Sequence, residues 1–417
     1  MKSKKKLSAA NLENYKAANQ NLGLPEETQT HAPVKHLKSK TVVYSSDPLE
    51  SDVPPKVLMV SSIEELKKIM GNPVQQDKHI EYPPALSRKL SLRMVNAKNL
   101  DDLKKVLTPK EHDNIKKAMH AYLVGNPKKV KKYVPLINAM RFPTKVAYFA
   151  SPEDKVISGN VVVKGEVPVI WNYNTIKMKG NASLHVQAPM FITANNLVSA
   201  NDKGDKVINC SAPNYSTPAT SGITGGQGPN GPSGVPGTCR PDPSIEGTPM
   251  VCVKEPTDGA PGGSGGSGTS GASGMKGYPQ LPFYFTIREA ITGNLTIIAG
   301  GGDGQIGGKG GSGGSGGNGG APGAVCGPCR PANAGQQGNG GKGGNGGAGG
   351  NGGDGGVVTI FYKSISGKII IQRDQAQGGA GGDAGSGGPG SPQGANGNAG
   401  ATGALGTKSV INVGPIS

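Results

Sequence analysis

The chain has 417 residues, of which 70 are glycine, 34% are hydrophobic and only 4% are aromatic. Just seven of those glycines precede residue 221. A core drawing on the roughly 45–50% apolar residues of globular domains therefore fits only the first half, which excludes an ordinary two-domain enzyme filling the whole chain. The net charge of +16 is also uneven: residues 1–150 hold 27 Lys and Arg against 14 Asp and Glu. That points to an anionic contact or a solvated lysine surface.

In chain order, residues 1–58 are polar and lysine-rich, broken by Pro25, Pro33, Pro48, Pro54 and Pro55. They read as an extended basic arm. Leu7–Ala10 supplies no apolar stretch behind the basic start, so no secretory signal of the usual kind is expected. Residues 59–140 read as a small basic helical domain. Ser62 and Glu65 form a capping box ahead of an Ile63–Leu66–Ile69–Met70 face, closed by Gly71 and Pro73. Residues 99–107 repeat the pattern, and a third helix begins with Thr108 as cap, Pro109 and Glu111, stopping at Gly125.

From about residue 141 to 208 the period changes to two. Ile176 and Met178 alternate with lysines, and Leu184 and Val186 with polar residues. Short strands separated by Gly and Asn turns fit a β-solenoid or a small sandwich, with the solenoid preferred. Residues 156–201 contain one acid, Glu166, too few for the paired carboxylates of a carbohydrate-active solenoid.

Residues 209–417 carry the most distinctive signal. Glycine recurs at every third position over 222–237 and 259–277, and at two positions of three over 301–320 and 339–356. A last tract runs from Gly378, loses one beat at Ser391, and resumes from Gly394 to Gly406. Three residues per turn is the repeat of the polyproline/polyglycine II helix, which has no internal hydrogen bonds and must bond its neighbours if buried. Glycine at two sites of three leaves two bare edges, so 301–320 and 339–356 should be central, with Gly310, Gly311, Gly313, Gly314, Gly343, Gly344, Gly346 and Gly347 in the interior. A floppy linker and an intermolecular collagen-like triple helix are the competing readings. A linker needs no phase, and Gly-Gly-x runs leave few side chains for a collagen surface. Phe283–Ile287, Leu295–Ile298, Val357–Tyr362 and Lys368–Gln372 read as strands, the last two as a hairpin around Ser366-Gly367.

The expected fold is thus mixed: a small α-helical basic N-terminal domain, a β-rich solenoid-like middle, and a C-terminal bundle of polyglycine II helices with short β-hairpins. Of five cysteines, Cys239 with Cys252 and Cys326 with Cys329 are disulfide candidates that would staple successive tract connections, leaving Cys210 over. Cys326-Gly-Pro-Cys329 matches the thioredoxin tetrapeptide but follows a glycine run rather than a strand. All six histidines precede the cysteines, with none at ligand spacing to a second cysteine pair, which argues against zinc. Phe283, Tyr284, Phe285, Phe361 and Tyr362 lie beside tract ends, either closing the glycine region or serving as contact anchors for a partner.

In architecture, these in-phase tracts between residues 222 and 406 resemble glycine-rich adhesins at the tips of phage tail fibres, and other polyglycine II proteins such as glycine-rich antifreeze proteins. The resemblance implies attachment or structure: a non-catalytic fibre, surface filament subunit or adhesin at a cell surface or on a virion. It would dock through its N-terminal part on a protein partner or a copy of itself, with a cell-surface receptor rather than nucleic acid as target. No catalytic residue, cofactor or metal is expected. Ice or surface binding by a flat glycine face is the alternative, disfavoured by the protruding Asp303, Lys309, Lys342 and Asp354. A β-solenoid enzyme is the remaining one.

Overall fold

The computed structural model describes residues 41–71, 80–86, 107–151, 154–199, 204–242 and 249–416. It is mostly β, and two sheets organise it. One contains, in spatial order, β1 (Thr41–Ser45), β5 (Asn160–Lys164), β7 (Ser183–Gln187), β9 (Val207–Asn209), β13 (Leu295–Ala299) and β15 (Ile369–Arg373). All its pairings are parallel. The second contains β2 (Lys56–Val60), β3 (Thr144–Ser151), β6 (Val169–Met178), β8 (Met190–Ser199), β12 (Phe283–Thr292), β14 (Val357–Ser366) and β16 (Val410–Pro415). Only β2 with β3 is antiparallel there, and β4 (Lys155–Ile157) extends the line of β3 along β6.

From β5 onward the chain alternates between the sheets, so each coil lays one strand on each stack. Leu184, Val186, Ile208, Leu295 and Ile297 face Trp171, Ile192, Phe283, Phe285 and Ile360 across an apolar interior. Burying side chains of this size is worth roughly 1.5–3 kcal/mol each.

Among the described residues, three α-helices, α1 (Ile63–Ile69), α2 (Pro109–Val124) and α3 (Val134–Arg141), cover the outer face of the second sheet. Ser62 caps α1 and the Thr108–Glu111 capping box starts α2. Their apolar faces (Ile63, Leu66, Ile115, Leu123, Leu136, Ile137) pack on Tyr148, Ile170, Phe191, Tyr284 and Phe361. These are outward-facing residues of strands distributed from residue 144 to 366.

That arrangement corrects the expected fold. The helices form no N-terminal domain of their own, because their apolar stripes are satisfied only by the sheet. The solenoid is not confined to the middle: β12 to β16 continue the same two stacks. The C-terminal part is not a separate helix bundle closed by hairpins, and the described glycine tracts contain no α- or 3-10 helix. β14 and β15 do not pair with each other. Gly367, at φ +138°, turns the chain from one sheet into the other, and each strand pairs in parallel within its own stack. Thr41–Ser45, expected in the arm, is an edge strand. The expected helix over 99–107 lies outside the described residues, apart from its last position.

Candidate functional site

Where fully described, the turns from the second sheet back to the first stay short: residues 158–159, 179–182, 293–294 and 367–368. The opposite turns do not. They occupy 165–168 and 188–189 in the early coils, then 210–282, 300–356 and 374–409. The glycine tracts are therefore enlarged corners of a parallel β-coil. Each leaves the first sheet as an outward limb and comes back to the second sheet as a return limb. The limbs of the first excursion are 211–237 and 255–281, of the second 300–325 and 330–356, and of the third 374–388 and 394–409. At about 3.1 Å per residue, the first two excursions reach on the order of 80 Å.

Main-chain hydrogen bonds join the limbs at every third residue. The second outward limb donates from Gly308, Gly311, Gly314 and Gly317 to Ala272, Thr269, Gly266 and Gly263. From Gly307, Gly310, Gly313 and Gly316 it donates to Ala380, Asp383, Ser386 and Pro389. It accepts on one side from Gly222, Gly225 and Gly228, and on another from Gly341, Gly344 and Gly347. The second return limb likewise bonds four others: Gly344 to Gly311, Gly343 to Ala395, Gly268 to Lys342 and Gly385 to Gly344. The first outward limb and the third return limb each bond only two neighbours. The outward limbs form one layer and the return limbs another, prolonging the two sheets.

A bond of this kind nets only about 1 kcal/mol, comparable with the cost of ordering one backbone unit. Order therefore requires nearly every amide facing a neighbour to be used, and close approach to permit it. A Cβ built at Gly310, Gly311, Gly313, Gly314, Gly343, Gly344, Gly346 or Gly347 would lie within 2.1 Å of a neighbouring limb's carbonyl oxygen. At Gly226, on the outer edge, the same Cβ meets nothing within 4 Å.

Most limb side chains emerge on the outside of the layers; Gln305 is buried, donating to the Thr217 carbonyl and accepting from the Met275 amide. Asp303 accepts from the Gln377 amide, the Ser312 and Ser386 hydroxyls meet at 3.1 Å, and the side chains of Asn345 and Asn351 accept from the amides of Asn398 and Ala404. Lys276 binds Asp354 at 2.6 Å and holds its carboxyl below the usual carboxylate range. Lys309 and Lys342 also project outward, each lending its carbonyl to the lattice.

At the far end, β10 (Thr238–Pro241) and β11 (Met250–Lys254) form an antiparallel hairpin that ends the first excursion. All four candidate cysteines meet there, but the pairing is Cys239–Cys326 and Cys252–Cys329. This corrects the expectation of a staple within each connection. Cys239 and Cys252 are cross-strand partners on the hairpin, and the 326–329 turn of the second excursion packs against both. Each bridge therefore ties two excursions together. Cys210 is free, buried beside the first sheet, and its thiol is pushed up by burial.

The aromatic candidates are also corrected as partner anchors. Phe283, Tyr284, Phe285 and Phe361 are buried and Tyr362 is partly covered. Over Phe283–Ile287 and Val358–Phe361 these strands have sheet interior on one side and helices on the other, whereas Lys363–Ser366 at the far end of β14 are exposed. Tyr284 stacks on Phe191 and His120.

Glu166 is exposed in the 165–168 turn. A group missed in the sequence is Lys155, which touches the Tyr44 hydroxyl and the Trp171 ring. Burial lowers its pKa to about 8. Its alternating neighbours gave no hint of this, since Tyr44 arrives from a strand far away in sequence.

Among the described residues, no helix is long and apolar enough to cross a membrane. Two disulfides fit an oxidising environment. The chain matches no family model, no curated protein and no solved structure.

Proposed function

We propose that this is a non-catalytic structural protein of a cell surface or virion, an adhesin or fibre tip. Its helix-covered coil docks on a protein partner, and its glycine excursions project as one stiff unit. The observation that supports this reading is the set of three excursions that leave the same side of the coil and are bonded to one another, with disulfides tying two of them at the far end.

A projecting unit is favoured over a filament built by adding copies to the lattice. The outermost limbs carry exposed side chains on their open edges: Thr224 and Gln227 at one end, Thr402 and Leu405 at the other. Pro229, Pro232 and Pro236 also have no N–H to offer a further limb. Exposed lysines 128, 129, 131 and 132 on the 3-10 turn Pro127–Tyr133 give the coil a basic surface for an acidic partner.

Electron microscopy of the purified full chain tests this. Discrete particles bearing one straight projection are expected. Particles without a projection, or lateral fibrils that grow with concentration, overturn it.

A further inference from the structure

Four of the five cysteines lie in one cluster at the far end of the excursions. The two bridges, Cys239–Cys326 and Cys252–Cys329, are not separate: Sγ of Cys239 lies 3.8 Å from Sγ of Cys329. The ligand atoms of Cys252, Cys329 and Glu255 all fall within 4.8 Å of one another. Two local devices present the sulfurs. One is the 326–329 turn, closed by the Cys329 amide donating to the Cys326 carbonyl at 2.9 Å, with Gly327 at φ +42°. The other is the hairpin, which sets Cys239 opposite Cys252 although thirteen residues separate them.

Cys-x-x-Cys facing a second cysteine pair is the donor set of a tetrahedral thiolate site. Zinc–sulfur bonds of about 2.3 Å place ligand sulfurs about 3.8 Å apart, the separation already present between Cys239 and Cys329. The Cα pairs of the two bridges are 5.9 and 5.0 Å apart, which leaves the sulfurs free to reach that spacing by side-chain rotation. Soft thiolates select zinc over magnesium or calcium. Arg240 and Arg330, next to Cys239 and Cys329 in sequence, and Lys254, two residues from Cys252, are exposed and offset the negative charge of zinc with four thiolates and of the nearby Glu255 carboxylate.

We propose that, in the chain before its thiols are oxidised, Cys239, Cys252, Cys326 and Cys329 together hold one zinc ion. Four S–H groups release four protons to solvent as the ion binds, and no electron is transferred. The ion then ties the first excursion to the second as the disulfides do in the oxidised chain. The far end is thereby fastened in either redox condition. This does not depend on the projecting role proposed above.

The experiment uses the full chain, produced and purified without oxygen in the presence of zinc. One zinc per chain is expected by elemental analysis. Replacement by cobalt should give the intense visible bands of a tetrahedral site with thiolate-to-metal charge transfer in the ultraviolet. Cys329→Ser and Cys252→Ser should each weaken zinc binding by more than the roughly 10–100-fold typical of outer-shell changes. Cys210→Ser should leave stoichiometry and spectrum unchanged. Absence of metal in a chain whose four thiols titrate as free overturns the proposal. So does a six-coordinate cobalt spectrum, an unaffected Cys329→Ser variant, or a reduced chain that loses its β signal and takes up no cobalt.

Discussion

Gly311 and Ile223 are 88 residues apart in sequence, yet a Cβ on Gly311 would lie 2.0 Å from the Ile223 carbonyl oxygen. The Gly311 amide meanwhile donates to Thr269 at 2.9 Å and its carbonyl accepts from Gly344 at 2.8 Å. One residue thus meets three limbs through its backbone alone. Cohesion here comes from hydrogen bonds and the missing side chain that lets them form, whereas between the sheets it comes from apolar burial.

Position within the lattice, rather than glycine as such, should decide tolerance. Gly311→Ala must push two limbs apart, and overpacking in a tight interior costs about 1–3 kcal/mol or more. Gly226→Ala has open space and restricts the unfolded chain, so it should be neutral or stabilise by up to about 1 kcal/mol. Denaturant unfolding of both variants checks the contrast. Equal tolerance at the two sites means the limbs do not touch.

Amide exchange should follow the three-residue beat. Gly308, Gly311 and Gly314, each bonded to a neighbouring limb, should exchange slowly. Outer amides such as Thr224 and Gln227, on exposed positions, should exchange fast. Mass spectrometry with residue resolution across 222–320 would show the alternation, and uniform fast exchange would remove the lattice.

Much of this was legible locally. The glycine phase is a short-range signal, and so are the Thr108–Glu111 cap and the alternation over β7. The dropped beat at Ser391 marks the turn between the third limbs, where Gly394 first bonds back to Gly388. Other features depend on partners remote in sequence. Nothing near Val357 or Ile369 tells whether they pair with each other or with strands more than seventy residues earlier. The same non-locality hid the disulfide pairing, since Cys252 meets Cys329 only once two excursions lie side by side. Tyr284 and Phe361 look available beside a glycine run, because the helices that close that face of the second sheet come from residues 63–141.

The bridges act at one end only, so their loss should loosen that end first. In the presence of a chelator, reduction should speed exchange around residues 234–259 and 320–335 while Gly304–Gly311 stays protected. The expected cost is roughly 2–5 kcal/mol of global stability, read by thermal unfolding of Cys326→Ser/Cys329→Ser. Unchanged exchange near residue 320 would mean the lattice alone fixes the far end.

His120 gives the fold a defined acid sensitivity. It is buried under Tyr284, with Nε2 3.1 Å from the Thr359 hydroxyl, so helix α2 and strand β14 meet on it. Burial lowers its pKa from 6.5 to about 4. The neutral ring is thus the folded form, whereas the unfolded chain takes up a proton at about pH 6.5. Its contribution is complete above pH 6.5 and is lost as pH falls from there towards 4. A shift of this size corresponds to about 3 kcal/mol. Glu64 and Asp354, whose carboxyls lie below their ordinary values, also lose stabilisation as pH nears 4, so the imidazole's share is the difference between the native chain and a His120 variant. Unfolding free energy measured at pH 7.5 and pH 4 should fall by at least that amount in the native chain. His120→Gln, which keeps a polar group against Thr359 but binds no proton, should be less stable at pH 7.5 and lack the imidazole's share of that fall. An equal pH dependence in the variant would place the acid-sensitive group elsewhere.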